Sequence, residues 1–325
     1  MKKRDYLLDT LKGIGIVCVV FGHFFEPLRL EPEGAILDCI VKVIYSFHMP
    51  LFCIISGLLA KFNIRRVVKW AVIYLAGQLV FFIVRYVTLW EIPSRNIIMP
   101  YFHFWYLYCL IIWSLSIPII SLIREKNVYI KAFFLICVSM GCLYLGKVNC
   151  SFFCGTNRLI AFYPLFFAGG VYSPEYFLHI QNENRKRNRA LINTFISVLF
   201  VLVIIMIVVF HDKVNMNIFY SDQTYYAGEY SWMERCLFYC WGLVVFCVLV
   251  SIIRINQGVL GLLGANSFWI YFSHAYLYYF FKHTIVKSGL SYFIKVILAI
   301  LLSGFILWVI PLIHKMRIKK SVIKQ

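Results

Sequence analysis

The sequence predicts an all-α integral membrane protein, a bundle of about ten transmembrane helices with its N-terminus and C-terminus cytoplasmic. Three observations lead there. Of 325 residues, 62% are apolar and only 14% charged, against roughly 45–50% and about 25% in soluble domains. The apolar residues gather in ten long runs bounded by charge, each near the ~20 residues that span a hydrocarbon core. Basic residues cluster in alternate connections between those runs, as the positive-inside rule requires.

The spans fall near 7–28, 36–60, 67–90, 103–123, 129–146, 157–173, 190–211, 232–254, 265–281 and 290–312. The charged end Met1–Arg4 is too short, and the first run too polar, for a cleaved signal peptide, so that run stays as the first helix. With the N-terminus inside, the inner segments hold Lys2, Lys3, Arg4, Lys61, Arg65, Arg66, Lys69, Arg124, Lys126, Lys131, Arg185, Lys186, Arg187, Arg189, Arg254, Lys315, Arg317, Lys319, Lys320 and Lys324. The outer segments hold only Arg29, Arg95, Lys147, Arg158, Lys213, Lys282 and Lys287. The formal charge of +18 would suggest nucleic acid in a soluble protein. Here it sits mostly on cytoplasmic loops, so the expected partner is the lipid bilayer and not nucleic acid.

No loop is long enough for a folded soluble domain, and no repeat or low-complexity tract is visible. Residues 1–325 therefore read as a single membrane domain with no appended soluble one. The eleven cysteines lie mostly in apolar runs, where Cys behaves as a small hydrophobe. None makes a zinc pattern, and no metal is expected. Cys150 and Cys154 share one short loop, where a disulfide and two free thiols are both open.

Ionisable residues inside spans are functional candidates, since a charge at the bilayer centre costs about 2.5–3.5 kcal/mol even on the lenient scale. The first span carries Asp9, Lys12 and His23. Lys12 and His23 are eleven residues apart, within about 20° of three full turns and roughly 16.5 Å along the axis, so they share a face. Asp9, one turn below Lys12, is placed to pair with it. Alone, Lys12 reads as snorkelling inward and His23 as interfacial. Set together, with Gly13, Gly15 and Gly22 permitting close helix approach, they read as functional.

The second span holds His48 just before Pro50, at a depth comparable to His23. The third opens with Asn63, Arg65, Arg66 and Lys69, where Arg66 and Lys69 share a helix face. Such clusters are usually anchors on anionic lipid; the same groups suit the phosphates of a cytoplasmic anionic cofactor. The fourth begins Tyr101-Phe-His103-Phe-Trp105-Tyr106-Leu107, either an aromatic belt or a sugar-stacking platform. Arg158, Tyr163-Pro164 and Gly169-Gly170 belong to the sixth. The ninth carries Asn266, with Ser267, Tyr271 and His274 spaced i, i+4, i+7 on one stripe that must face protein or water.

As a set, these residues resemble the acyltransferase 3 family of integral membrane O-acyltransferases, in particular its fucose acetylases and surface-polysaccharide acetyltransferases. Lys12 to His23 resembles the first-helix signature of a basic residue, ten residues and a histidine, with Lys where Arg is commoner. Phe47-His48-Met49-Pro50 with Ile55-Ser56-Gly57 resembles the second-helix motif. His103-Phe-Trp105-Tyr106-Leu107 resembles the aromatic motif, and Ser267 to His274 the late helix. Arg66-x-x-Lys69 resembles the cytoplasmic Arg-x-x-Arg, again with Lys substituted.

The resemblance implies acyl-CoA, usually acetyl-CoA, as donor and a glycan or lipid-linked sugar as acceptor, in a multi-pass protein of a bacterial cytoplasmic membrane. It assigns His23, Lys12, His48 and Asp9 to catalysis, and Arg65, Arg66 and Lys69 to the donor. Trp105, His103, Arg158, Tyr271 and His274 fall to the acceptor. The competing readings are a polysaccharide exporter or lipid-linked sugar flippase, which needs a wet path and no thioester chemistry, and a membrane sensor, which leaves the histidines unexplained.

Overall fold

The computed structural model describes residues 6–89, 100–146, 156–172, 190–221, 230–253 and 258–323, and among them there are helices and tight turns but no strand. The helices are α1 (Tyr6–Phe25), α2 (Ala35–Leu58), α3 (Ile64–Leu89), α4 (Trp105–Ser114), α5 (Ile117–Arg124), α6 (Val128–Leu145), α7 (Thr156–Gly170), α8 (Ala190–Val209), α9 (Trp232–Ile252), α10 (Val259–Ala265), α11 (Ser267–Phe280) and α12 (Tyr292–Ile323). Single turns occupy Leu28–Leu30, Phe102–Phe104, His211–Lys213, Asn217–Tyr220 and Phe281–Ile285.

Every predicted span meets a helix. Six are individually long and apolar enough to cross a membrane: α1, α2, α3, α6, α9 and α12. The predicted span 103–123 is two helices, α4 and α5, bent by 62°. The reason is Pro118 in the first turn of α5, because proline lacks an N–H and its ring clashes with the carbonyl four residues back. Pro50, Pro164 and Pro311 lie inside α2, α7 and α12, which continue through them. Cys150, Cys154, Arg254 and the basic stretch from Arg185 to Arg189 lie outside the described residues.

Large apolar side chains point outward on α3, α6, α8 and α12, and α6 buries none of its residues. Phe133 is 61% and Trp308 68% exposed. Water would penalise such a surface and hydrocarbon satisfies it. The chain is an all-α, multi-pass membrane protein.

The residues form two compact units. The first contains α1, α2 as far as His48, residues 207–211, and α10 to α12. Here α1 packs on α10, α11 and α12. Glycine sets the spacing: a Cβ on Gly13 would stand 2.0 Å from the Leu260 carbonyl oxygen, and one on Gly264 1.7 Å from that of Asp9. The two backbones touch, which only glycine allows. Sequence periodicity misses α10 because a seven-residue, glycine-rich run reads as a loop.

Charge in this unit is paired. Arg29 Nη1 and Lys42 Nζ each lie 2.6 Å from an oxygen of Asp38, with His211 Nδ1 at 3.4 Å. Lys42 also donates to the His211 carbonyl at 2.6 Å, and Lys295 pairs with Glu31 at 2.9 Å. These groups are nearly buried, where an unpaired charge would be costly.

The second unit contains the rest of α2, α3 to α7, α8 as far as Met206, and α9. In it α3 packs on α4, and α4, α5 and α6 on α7. A Cβ on Gly57 would stand 1.9 Å from the Phe166 carbonyl oxygen and one on Gly169 2.0 Å from that of Ile54, so α2 and α7 also meet backbone to backbone.

Gly13→Ala tests the closest of these contacts. The clash is with main chain and costs about 1–3 kcal/mol, more than the ~1 kcal/mol of helix propensity gained. The detergent-purified variant should unfold at lower temperature than the parent. Gly141→Ala on α6, with nothing within 4 Å of the added Cβ, should not. A Gly13→Ala protein as stable as its parent would contradict the packing.

Candidate functional site

In the first unit, three histidines from three helices converge. His23 lies in the last turn of α1, His48 at mid-length on α2 and His274 on α11. The His23 ring stacks on His274, centroids 5.4 Å apart and planes inclined by 19°, and stands edge-on to His48 at 6.2 Å. His48 is 2% exposed and His274 not at all. Of the stripe predicted on the ninth span, His274 is buried while Ser267 and Tyr271 are partly exposed.

Two tyrosines complete the enclosure. The Tyr45 hydroxyl sits 2.8 Å from His23 Nδ1, and its ring packs on His48 at 4.8 Å. Gly22 makes room, since a Cβ there would come within 3.2 Å of the Tyr45 ring and 2.9 Å of Ile44. Tyr278 lies 5.9 Å from His23 between centroids and donates its hydroxyl to Glu26 at 3.2 Å. Tyr271 packs its ring on His274 at 5.8 Å and offers its carbonyl to His274 Nδ1 at 2.5 Å.

These bonds fix tautomers. His48 Nδ1 meets the Ile44 carbonyl at 2.8 Å and His274 Nδ1 that of Tyr271. A carbonyl only accepts, so both rings carry the proton on Nδ1 and, when neutral, a lone pair on Nε2. His23 meets a hydroxyl, which can donate or accept. The group can therefore move protons in an enclosed, low-dielectric setting.

Lys12 Nζ pairs with Asp9 at 2.6 Å, as their spacing predicts. The helical rise places that pair about 16.5 Å along α1 from His23. It lies beside the Gly13–Leu260 and Gly264–Asp9 contacts, so α10 covers this end of α1.

The second unit holds the other predicted residues. Trp105, 9% exposed, stacks on Phe162 at 5.2 Å, and the Arg158 guanidinium lies 5.2 Å over the Trp105 ring. Arg158 Nε donates to the Tyr220 carbonyl at 2.9 Å, and His103 is buried. The Tyr106 hydroxyl bonds to Ser56 at 2.6 Å. Arg65, Arg66 and Lys69 are exposed at the start of α3, whose N-terminus Asn63 caps by accepting from the Arg66 N–H at 3.1 Å.

Sequence reasoning missed Tyr45, Tyr278, Glu26 and Arg235. Arg235 is 2% exposed on α9; it donates to the Ser221 hydroxyl at 2.7 Å and the Tyr230 hydroxyl at 2.6 Å and faces the Tyr230 and Phe238 rings at 4.7 and 5.3 Å. Ser221, at φ 53°, closes the turn whose Tyr220 carbonyl holds Arg158. The available signal was a lone basic residue inside the eighth span.

Compared with known proteins, residues 5–313 match the acyltransferase 3 family model, an acyltransferase domain. The nodulation proteins NolL of Sinorhizobium fredii and Mesorhizobium japonicum are each 44% identical over 64 residues, 19% of this chain and 18% and 17% of theirs. The matched segment thus spans under a fifth of those relatives. No solved structure matches the chain.

Arg235→Ala removes two charge-assisted hydrogen bonds, worth about 1.5–3 kcal/mol each. Protease accessibility of the turn at Asn217–Ser221 should rise by about tenfold or more where cleavage follows local opening. Unchanged cleavage would show that Arg235 does not hold the turn.

Proposed function

The chain belongs to the acyltransferase 3 family, and we propose that this membrane acyltransferase moves an acyl group, acetyl foremost, from cytoplasmic acyl-CoA to a hydroxyl of a cell-surface or lipid-linked glycan. The observation that carries the reading is the enclosure of His23 by His48, His274, Tyr45 and Tyr278 in the first unit. One membrane domain in a bacterial cytoplasmic membrane, with both termini inside, suffices for it. Buried histidines also serve proton relays in transporters, and it is family membership that favours transfer.

Acyl transfer to a hydroxyl requires removal of the hydroxyl proton and stabilisation of the oxyanion that develops. His23 takes the acceptor's proton at Nε2 while the acceptor oxygen attacks the thioester carbon. The tetrahedral intermediate collapses with loss of the C–S bond. The thiolate then receives the proton from the imidazolium, which restores neutral His23 and leaves free CoA thiol.

His48 assists at this level. Lys12, held by Asp9 well below His23, serves the donor's path and not the oxyanion. Arg65, Arg66 and Lys69 take the donor's phosphates, with Lys69 supplying charge without the bidentate geometry of arginine. Trp105, with Arg158 over its ring, offers a stacking face for a sugar, and His103, Tyr271 and His274 complete the acceptor-side set.

His23→Ala, folded and inserted as the parent, should lower acetyl transfer into glycan by about 10²–10⁴-fold. Arg66→Glu with Lys69→Glu should raise the acetyl-CoA KM about tenfold or more and leave kcat near the parent's, as expected for lost ground-state binding. An active His23→Ala enzyme would remove the base from this scheme.

A further inference from the structure

Resting on the reading of His23 as base, we infer that Tyr45 is its positioning residue, the hydroxyl that holds the imidazole through Nδ1 and accepts from it once the ring is charged. The geometry is an inter-helix hydrogen bond of 2.8 Å between Tyr45 on α2 and His23 Nδ1 on α1. Tyr45 is 5% exposed. Gly22, one residue from His23, has no side chain at the place where the phenol ring approaches α1. The contact is built from both sides.

The neighbouring imidazoles show what is particular about it. His48 and His274 each aim Nδ1 at a main-chain carbonyl, at 2.8 and 2.5 Å, and a carbonyl cannot donate. A phenol hydroxyl can do either. With Nδ1–H directed at the Tyr45 oxygen, His23 keeps its Nε2 lone pair for the acceptor hydroxyl. When Nε2 takes that proton, the Nδ1–H bond to Tyr45 becomes charge-assisted and stronger. The gain arises as charge develops, which is when it lowers the barrier.

Tyr45 itself neither gains nor loses a proton in this scheme. It acts through His23, as the third group in nucleophile–base–orienter arrangements does. The stacked His274 ring and Tyr278, held by Glu26, fix the plane of the imidazole from other sides. They set the plane of the ring, and the Tyr45 hydroxyl adds the hydrogen bond at Nδ1.

The test follows labelled acetyl from acetyl-CoA into glycan in inverted membrane vesicles that carry their own acceptor. Tyr45→Phe keeps the ring and removes the hydroxyl. It should lower kcat about 10- to 100-fold, the worth of one charge-assisted hydrogen bond, with the acetyl-CoA KM within about twofold of the parent's. A dead His23→Ala beside a fully active Tyr45→Phe would overturn the role of Tyr45 and spare that of His23; an active His23→Ala would overturn both.

Should Tyr45→Phe fail to fold, fluorotyrosines at position 45 preserve the packing and grade the acidity of the phenol. The rate should then fall stepwise as the phenol oxygen becomes a weaker acceptor. A rate indifferent to that acidity would mark a hydroxyl that merely packs, and the inference would be wrong.

Discussion

Backbone contact between α1 and its neighbours is the constraint on which the first unit depends. Gly13 and Gly264 bring α1 against α10 until carbonyl oxygens occupy the space of absent Cβ atoms, and Gly22 lets α2 approach through the Tyr45 ring. A membrane offers helices no hydrophobic reward for associating, so close packing and hydrogen bonds must hold them. Once α1 is fixed against both elements, His23 has one place to be. It lies at the edge of Tyr45, on the face of His274 and beside His48.

Polar groups in this chain survive burial by having fixed partners, and the kind of partner separates structure from chemistry. Asp38 holds Arg29 and Lys42 in an ion-pair hub, and Arg235 is held by two hydroxyls and two rings. Those arrangements tie segments together. Around His23 the partners are imidazoles and phenols, groups that carry no permanent charge and can both donate and accept a hydrogen bond.

Much of this was legible in the sequence, for physical reasons. Each charge-bounded apolar run coincides with helix, in two pieces at 103–123, because the need to satisfy every backbone group in lipid leaves few alternatives. The Lys12–His23 spacing, the Asp9–Lys12 pair and the stripe ending at His274 followed from the helical repeat. The break at Pro118 and the short helix α10 did not, since one depends on how a proline is accommodated and the other on glycine contacts with a helix more than two hundred residues away. Tyr45 and Tyr278 were hidden among 22 tyrosines in a chain where aromatic residues are ordinary lipid-facing material. Only their placement against His23 distinguishes them.

Acyl transfer to a glycan is read directly by mass spectrometry of the surface glycan from otherwise identical cells with and without the protein. Repeat units should be heavier by one acyl group, acetyl in the first instance, only when the protein is present, and should lose that increment on mild base treatment that cleaves esters. Identical glycan masses in the two populations would contradict it.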